Sequence, residues 1–222
     1  MNVSYTGDQS TNIRDTVKEL QNGIITGFLL VVFVLFSAMG FRNSLLVASA
    51  IPVSFMIAFA VLGMTDITLN IVVLFSLILV LGIIVDDAVV VNENIYRLQD
   101  KEGLTPLEAA VEGPREVQIP VFIATLTIIS SFFPLLFFPG IVGEFMRYLP
   151  ITIITCLFAS LFVALVLNPA FSSWIINVKE EKAKMAKSSK ANIFVRYHKW
   201  FDRNFEAMTN KYEKLLRVLM RR

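Results

Sequence analysis

Residues 67–92 read ITLNIVVLFSLILVLGIIVDDAVVVN, an apolar run that is broken by one adjacent acidic pair, Asp86 and Asp87. The run is longer than the roughly 20 residues that a helix needs to cross about 30 Å of hydrocarbon. A carboxylate in the middle of such a helix costs about 3 kcal/mol on insertion scales, so it normally faces a bundle interior or water and marks an ion or proton path. The stretch therefore predicts a membrane-spanning helix that carries a functional acidic pair.

Four more long uncharged intervals lie on either side of this run. Each is long enough to span a membrane, and we predict five spans, at residues 20–41, 43–63, 67–95, 117–138 and 149–172. Of the 222 residues, 55% are apolar and 17% charged, with a mean hydropathy of +0.66. Five buried helices of a soluble protein would leave too little polar surface to cover them. The predicted fold class is an all-α, polytopic membrane helix bundle.

The basic residues in the connections predict the orientation of the chain. With residues 1–19 taken as an extracytoplasmic lead-in, the outer positions hold Arg14, Lys18 and Arg147, and the other 17 of the 20 basic residues lie on the inner side. Because cytoplasmic loops carry an excess of Lys and Arg, the N-terminus is predicted outside and the C-terminus in the cytoplasm.

The connections show helix start and stop signals. Phe41–Asn43 is too short for anything but a tight hairpin loop. Thr105, Pro106 and Glu108 form a capping box, and Gly113 followed by Pro114 predicts the end of a short cytoplasmic helix at residues 105–113. Pro169 is expected to kink or finish the fifth span. Residues 179–191 are interpreted as a cytoplasmic linker, and residues 192–222 as an amphipathic helix in the inner headgroup region.

The composition excludes several kinds of site. A formal net charge of +2 is too balanced for nucleic-acid binding by bulk electrostatics. One cysteine, Cys156, and one histidine, His198, exclude a disulfide framework and a protein-only zinc site. The chain has no GxxxxGK[ST] phosphate loop, so it does not hydrolyse ATP. We expect no metal and no cofactor other than protons as the coupling ion.

The chemistry is expected at Asp86 and Asp87. Two adjacent carboxylates in a low-dielectric environment do not both ionise cheaply, so such a pair can take up and release protons near neutral pH. Gly82, one turn before Asp86, and Ala88 are interpreted as small residues that allow close helix packing beside the pair. The alternative is a static hydrogen-bonded pair that only fixes helix packing.

Polar residues on the fourth and fifth spans are candidates for support of the pair. Thr127, Ser130 and Ser131 lie on one face of the fourth span, and Ser160 and Asn168 on one face of the fifth. Small and hydroxylated residues more commonly serve interhelical packing, which is the competing interpretation.

Residues 82–95, GIIVDDAVVVNENI, resemble the signature of the fourth transmembrane helix in the resistance-nodulation-division (RND) superfamily, which is close to GxxVDDAIVVVEN. The resemblance extends to Phe41–Asn43, to residues 103–114 and 134–144, and to Leu167–Ala170, which looks like the end of the sixth helix. The match is to the multidrug-efflux branch for hydrophobic and amphiphilic compounds. One departure is Asn92, where an aliphatic residue is more common.

The resemblance implies that the five spans are helices two to six of a twelve-helix permease of the bacterial inner membrane. It implies that Asp86 and Asp87 form the proton relay of a proton-driven drug antiporter, opposite a lysine on a helix in the remainder of the permease. It further implies a homotrimer, surrounded by lipid, that docks with a periplasmic adaptor and an outer-membrane channel. The protein would be a secondary transporter and not an enzyme.

Two other functions remain open from the residues alone. Intramembrane aspartyl proteases also use paired aspartates, although theirs come from two helices and converge on one water, whereas adjacent residues on one helix diverge by about 100°. A non-transporting assembly or regulatory subunit, or a truncated product, is the other alternative.

Overall fold

The computed structural model describes residues 10–39, 41–65, 67–176, 178 and 212. Within them the chain forms helices and turns, with no β-strand. The predicted linker at residues 179–191 and, apart from Tyr212, the predicted helix at residues 192–222 lie outside the described residues, as do residues 1–9. The α-helices are α1 (Ser10–Met39), α2 (Phe41–Met64), α3 (Ile71–Lys101), α4 (Pro106–Phe132), α5 (Gly140–Met146), α6 (Tyr148–Phe162) and α7 (Asn168–Ile175).

Five helical stretches are long and apolar enough to cross a membrane by length and composition. They cover Arg14–Ser37, Asn43–Met64, Ile71–Lys101, Pro106–Phe137 and Gly140–Ile175. The predicted fold class, an all-α membrane helix bundle, is confirmed. The predicted boundaries follow the charges, whereas α1 already begins at Ser10 and Phe41–Asn43 form the first turn of α2. Helical hydrogen bonding extends past the apolar part of the chain because polar residues also form good helices.

Helix α3 lies at the centre of the bundle. The side chain of Asn70 caps its start by accepting a hydrogen bond of 3.0 Å from the backbone N–H of Val73. The helix then packs against α1, α2, α4, α6 and α7. Its fully buried residues, such as Ile84, Val91 and Ile95, join those of α6 in one apolar core. The acidic pair is therefore carried by a helix that packs against five other helices of the described chain.

Helix α4 runs without a break through Pro114 and Pro120, so the prediction of a short helix that ends at Gly113 is wrong. The predicted capping box at its start is confirmed, with reciprocal hydrogen bonds between Thr105 and Glu108. Gly113 serves packing instead, because a methyl group added there would lie 2.6 Å from Cγ1 of Ile95. This close approach of α3 and α4 offsets the backbone hydrogen bonds that the two prolines remove.

The last span is built from three helical segments. A short α5 follows the turn at Pro139 and Gly140, whose φ of +80° favours glycine. Between α6 and α7, residues Val163–Leu167 form a π-helical turn in which the N–H of Asn168 donates to the carbonyl of Val163. Pro169 thus does not end the helix, because the wider turn just before it accommodates the missing N–H and the chain continues helically to Ile175.

Candidate functional site

The two carboxylates of the acidic pair lie in different surroundings. Asp87 is half-buried beside α4, where the hydroxyl oxygen of Thr125 lies 3.4 Å from Oδ1 and 3.5 Å from Oδ2. Asp86 precedes it by about 100° around the helix axis and is exposed in this chain. One carboxyl group is therefore held by the bundle, and the other points out of it.

The Thr125 hydroxyl can serve either protonation state of Asp87. Its oxygen lies 3.0 Å from the carbonyl of Val121, one turn earlier in α4, as well as next to the carboxyl group. A hydroxyl has one proton to donate and lone pairs to accept. It can donate a hydrogen bond to an ionised Asp87. When Asp87 is neutral, the hydroxyl can instead donate to the Val121 carbonyl while its oxygen accepts a hydrogen bond from the protonated carboxyl group. The contact thus tolerates proton uptake and release without leaving either group unpaired.

Helices α6 and α7 hold the turn of α3 that carries the pair. The hydroxyl of Ser160 donates to the carbonyl of Ile84 at 2.9 Å, and Nδ2 of Asn168 donates to the carbonyl of Ala88 at 3.5 Å. Both donors are almost fully buried. These bonds lie just before and just after Asp86 and Asp87, so they fix the position of the acidic turn relative to the last span.

The other predicted site residues fall into two groups. Ala88 is buried and Asn168 reaches the acidic turn. In contrast, the structure does not bring the three predicted hydroxyl groups of α4 to the pair: all three are exposed and donate to carbonyls of their own helix, one turn back. They are Thr127, Ser130 and Ser131. Gly82 is exposed, and a methyl group added to it would meet no described atom within 4 Å.

Thr125 is the site residue that sequence reasoning missed. A signal for it exists, because positions four residues apart on α4 are buried, and this series includes Ala109, Gly113, Val121, Thr125 and Ile129. Thr127 lies about 200° away from Thr125 around the axis. The face of α4 with the most hydroxyl groups was the wrong choice, since hydroxyl groups on an exposed face can donate to backbone carbonyls of their own helix.

An ion-pair network fastens the ends of α3 and α4 beyond the acidic pair. Arg97 contacts Glu116 at 2.6 Å, Glu102 at 3.0 Å and Oδ1 of Asn94 at 2.9 Å. Asn94 in turn donates to the carbonyl of Gly113 at 2.9 Å. The groups are partly exposed, so the network adds little to stability by itself, but it fixes the register of the two helices that bring Asp87 and Thr125 together.

A stripe of exposed residues runs the length of α3 through Asp86. At 100° per residue its members fall within about 80° of one another, and they are Phe75, Leu79, Gly82, Asp86, Val90 and Glu93. This α3 stripe leaves one face of the central helix uncovered by the described chain. Within the described residues, no three His, Cys, Asp or Glu side chains come together in a way that could hold a metal ion.

Comparison with known proteins assigns the family. Relatives include the toluene efflux pump membrane transporter TtgE and the solvent-resistant pump membrane transporter SrpB of Pseudomonas putida, each 29% identical over 96% of this chain and 20% of its own length. The multidrug resistance protein MdtC of Pantoea ananatis is 29% identical over 99% of this chain and 22% of its own length.

The chain thus spans about one fifth of the length of these relatives. The names of TtgE and SrpB describe pump membrane transporters and not proteases. The family model of the AcrB/AcrD/AcrF family matches residues 1–222. Because this match covers every residue of the multi-pass bundle described above, the chain belongs to the AcrB/AcrD/AcrF family of RND efflux transporters.

Proposed function

We propose that this chain forms the proton-relay part of an RND permease that exports hydrophobic or amphiphilic compounds in exchange for protons. The relay residues are Asp86 and Asp87, and no cofactor is needed because the proton is the coupling ion. The single observation that carries the proposal is the adjacent carboxylate pair on the central apolar helix, with Asp87 against the Thr125 hydroxyl and Asp86 on the uncovered α3 stripe.

Proton movement supplies the energy for the cycle. Each charge that moves down a potential of 100 mV releases about 2.3 kcal/mol. Protonation removes the charge on the pair, which changes the free energy of burying the acidic turn and hence the helix packing around it. The bonds from Ser160 and Asn168 to the carbonyls of Ile84 and Ala88 connect this turn to α6 and α7, so a shift of the turn is passed to the last span.

The proposed substrates follow from the relatives. Their names refer to toluene, solvents and multiple drugs. Compounds of this kind share an apolar or amphiphilic character, and we assign that substrate class to the permease that contains this chain. Substrate contacts are assigned to regions of the permease outside these residues.

The proposed location is the bacterial inner membrane, with the N-terminus in the periplasm and the C-terminus in the cytoplasm. The distribution of Lys and Arg supports this orientation. The α3 stripe is proposed to pack against a lysine-bearing helix in the remainder of the permease, which would give Asp86 a counter-charge. The complete pump is proposed to be a homotrimer that docks with a periplasmic adaptor and an outer-membrane channel.

Proton flux through the reconstituted permease tests the relay. The intact permease is placed in liposomes that contain a pH-sensitive dye, and a pH gradient is imposed. The double variant Asp86→Asn plus Asp87→Asn is expected to reduce flux to the level of protein-free liposomes, because neither amide can carry the proton. Unchanged flux would show that the pair is not the relay.

The matched control is Glu93→Gln. Glu93 is an exposed acid on the same stripe of α3, seven residues beyond Asp86, and it lies past the apolar run. The same loss of charge at this position is expected to leave flux within twofold of the native value. A twofold change corresponds to about 0.4 kcal/mol. A loss as large as that of the double variant would point to a general effect of charge on α3.

A further inference from the structure

One polar side chain of α3 and one of α7 are completely buried without a hydrogen-bond partner among the described residues. They are Asn92, whose amide oxygen and nitrogen are both unpaired within the described chain, and Ser172, whose hydroxyl is likewise unpaired. Each has 0% of its surface exposed. Buried polar groups in proteins are almost always paired with protein or ordered water, so two such residues in one interface need an explanation.

The register of two hydrogen bonds places the two residues at matching positions on helices that run in the same direction. Asn168 of α7 bonds to the carbonyl of Ala88 on α3, and further along, the N–H of Val178 donates to Oε1 of Gln99 on α3 at 3.3 Å. Asn92 is one turn beyond Ala88, and Ser172 is one turn beyond Asn168. By this register both lie in the same layer, between a bond from α7 to α3 and a bond from Val178, just beyond α7, to α3.

Ser172 behaves differently from most other helical hydroxyls in the chain. Ser76, Thr125 and Thr152 each donate to the carbonyl one turn back in their own helix. The Ser172 hydroxyl makes no such bond, although its helix is intact there and the N–H of Ile176 donates to the Ser172 carbonyl. Its donor is therefore free for a ligand at the interface.

We propose that Asn92 and Ser172 bind buried water between α3 and α7, and that this Asn92–Ser172 site hydrates the proton path between the acidic pair and the Lys101 end of α3. A water molecule both donates and accepts, so it can satisfy the amide oxygen, the amide nitrogen and the hydroxyl together. The side chains are neutral, which suits water better than an ion. The second half of the proposal rests on the proposed relay function.

The position of the site fits a path along α3. Asn92 is five residues from Asp87, which is about 7.5 Å along a helix axis. Asn168 lies between them, and Ser160 lies beside the acidic turn. Toward the other end, Nε2 of Gln99 is also buried and unpaired, seven residues beyond Asn92 on the same face. The polar groups thus form a line along α3. The nearest buried isoleucines along the chain are Ile95, three residues beyond Asn92, and Ile176, four residues beyond Ser172.

Radiolytic hydroxyl-radical footprinting of the intact permease tests the hydration directly. X-rays split bound water, and the radicals oxidise neighbouring side chains even where bulk solvent does not reach. Ile95 and Ile176 are expected to oxidise several-fold faster than Ile153 and Leu157, which are equally buried in the apolar contact of α6. Equal, slow oxidation of all four would overturn the proposal. Oxidation that disappears when Na⁺ is replaced by choline would assign the site to a cation and overturn the assignment to water.

Two variants test whether the water serves the proton path. Asn92→Leu removes the amide at similar volume, and Ser172→Ala removes a single oxygen and is the variant least able to disturb folding. Each is expected to abolish the excess oxidation and to lower proton flux several-fold. Lost oxidation with native flux would overturn the role in the path. Flux that persists in Asp86→Asn plus Asp87→Asn would instead overturn the relay itself, so the two failures are distinguishable.

Discussion

The two sides of α3 differ although their carboxylates are neighbours in sequence. On the packed side, Asp87 lies against Thr125, and the carbonyls around it accept bonds from Ser160 and Asn168. On the other side, Asp86 lies on the α3 stripe, where Gly82 and Val90 are also exposed. The packed side has its partners within the chain, whereas the stripe has none among the described residues.

This difference shows how a single helix can serve two interfaces. The packed side fixes α3 relative to α4, α6 and α7, because hydrogen bonds to backbone carbonyls allow little sliding. The stripe leaves Asp86 exposed, at the face where we propose that a lysine-bearing helix packs. With the acidic pair divided in this way, one interface fixes the position of the turn while the carboxyl group on the other side stays accessible.

The largest expected effects come from the single variants Asp86→Asn and Asp87→Asn. If the pair acts as one unit across both sides of α3, each substitution alone lowers proton flux in reconstituted permease by about tenfold or more, equivalent to about 1.4 kcal/mol. The measurement is the initial rate of the pH change inside the liposomes, reported by the dye. Native flux in Asp86→Asn would restrict the relay to the packed side and show that the α3 stripe takes no part in it.

Two glycines, one of α4 packed against α3 and one on the exposed α3 stripe, give the next largest effect. Gly113→Ala places a methyl group 2.6 Å from Cγ1 and 3.2 Å from the backbone of Ile95, so we expect a net destabilisation of about 1–2 kcal/mol. Gly82→Ala lies on the open stripe and is expected to stabilise the chain by up to about 1 kcal/mol. Thermal unfolding of the purified chain in detergent, followed by circular dichroism, measures both. Equal shifts would contradict the packing assigned to Gly113.

Thr125→Val tests the contact on the packed side. Loss of the hydroxyl removes a hydrogen bond to Asp87, worth about 1 kcal/mol, so we expect flux to fall about fivefold. Thr127→Val is the matched control, because this hydroxyl is exposed and bonds only its own helix. Its flux is expected to stay native. A larger loss in Thr127→Val than in Thr125→Val would reverse the assignment of the two faces of α4.

The smallest expected effect is that of Arg97→Ala. The arginine contacts Glu102 and Glu116 in a partly exposed network, so its removal should destabilise the chain by about 0.5–1 kcal/mol. Arg115→Ala breaks a single exposed pair with Glu112 and is expected to change stability by less than about 0.5 kcal/mol. Denaturant titration of both variants compares them. No difference would show that Arg97 does not hold α3 to α4.

Much of the fold follows from the hydropathy pattern. Long uncharged intervals predict the five spans, because the thickness of the hydrocarbon layer sets the minimum length of a spanning helix. The boundaries were less predictable. Gly113 and Pro114 carry the local signals of a helix end, yet the close approach of Ile95 to Gly113 keeps α4 continuous. Packing outweighs the local preference for a helix end at Gly113 and Pro114, because a proline removes only one backbone hydrogen bond of its own from the helix.

The acidic pair was identifiable because charge is rare and costly in an apolar helix, but its supporting groups were not. Ser and Thr residues occur on both faces of α4, and only the packing against α3 distinguishes Thr125 from Thr127. Asn168 was predicted because it shares one face of the fifth span with Ser160, and the structure shows that this face meets α3. The π-helical turn between them sets their final spacing and has no clear sequence signal.

The sequence alone determined that the chain is a bundle of helices long enough to span a membrane, and it singled out Asp86 and Asp87 as the candidate relay. Both conclusions rest on transfer free energies, which depend on composition and length and not on neighbours. The tertiary structure decided which side of α3 each aspartate occupies, that Thr125 rather than Thr127 contacts Asp87, and that Asn92 and Ser172 are buried without a hydrogen-bond partner within the described chain. These contacts depend on the rotation and register of packed helices, which arise from many small van der Waals contacts summed over the whole interface.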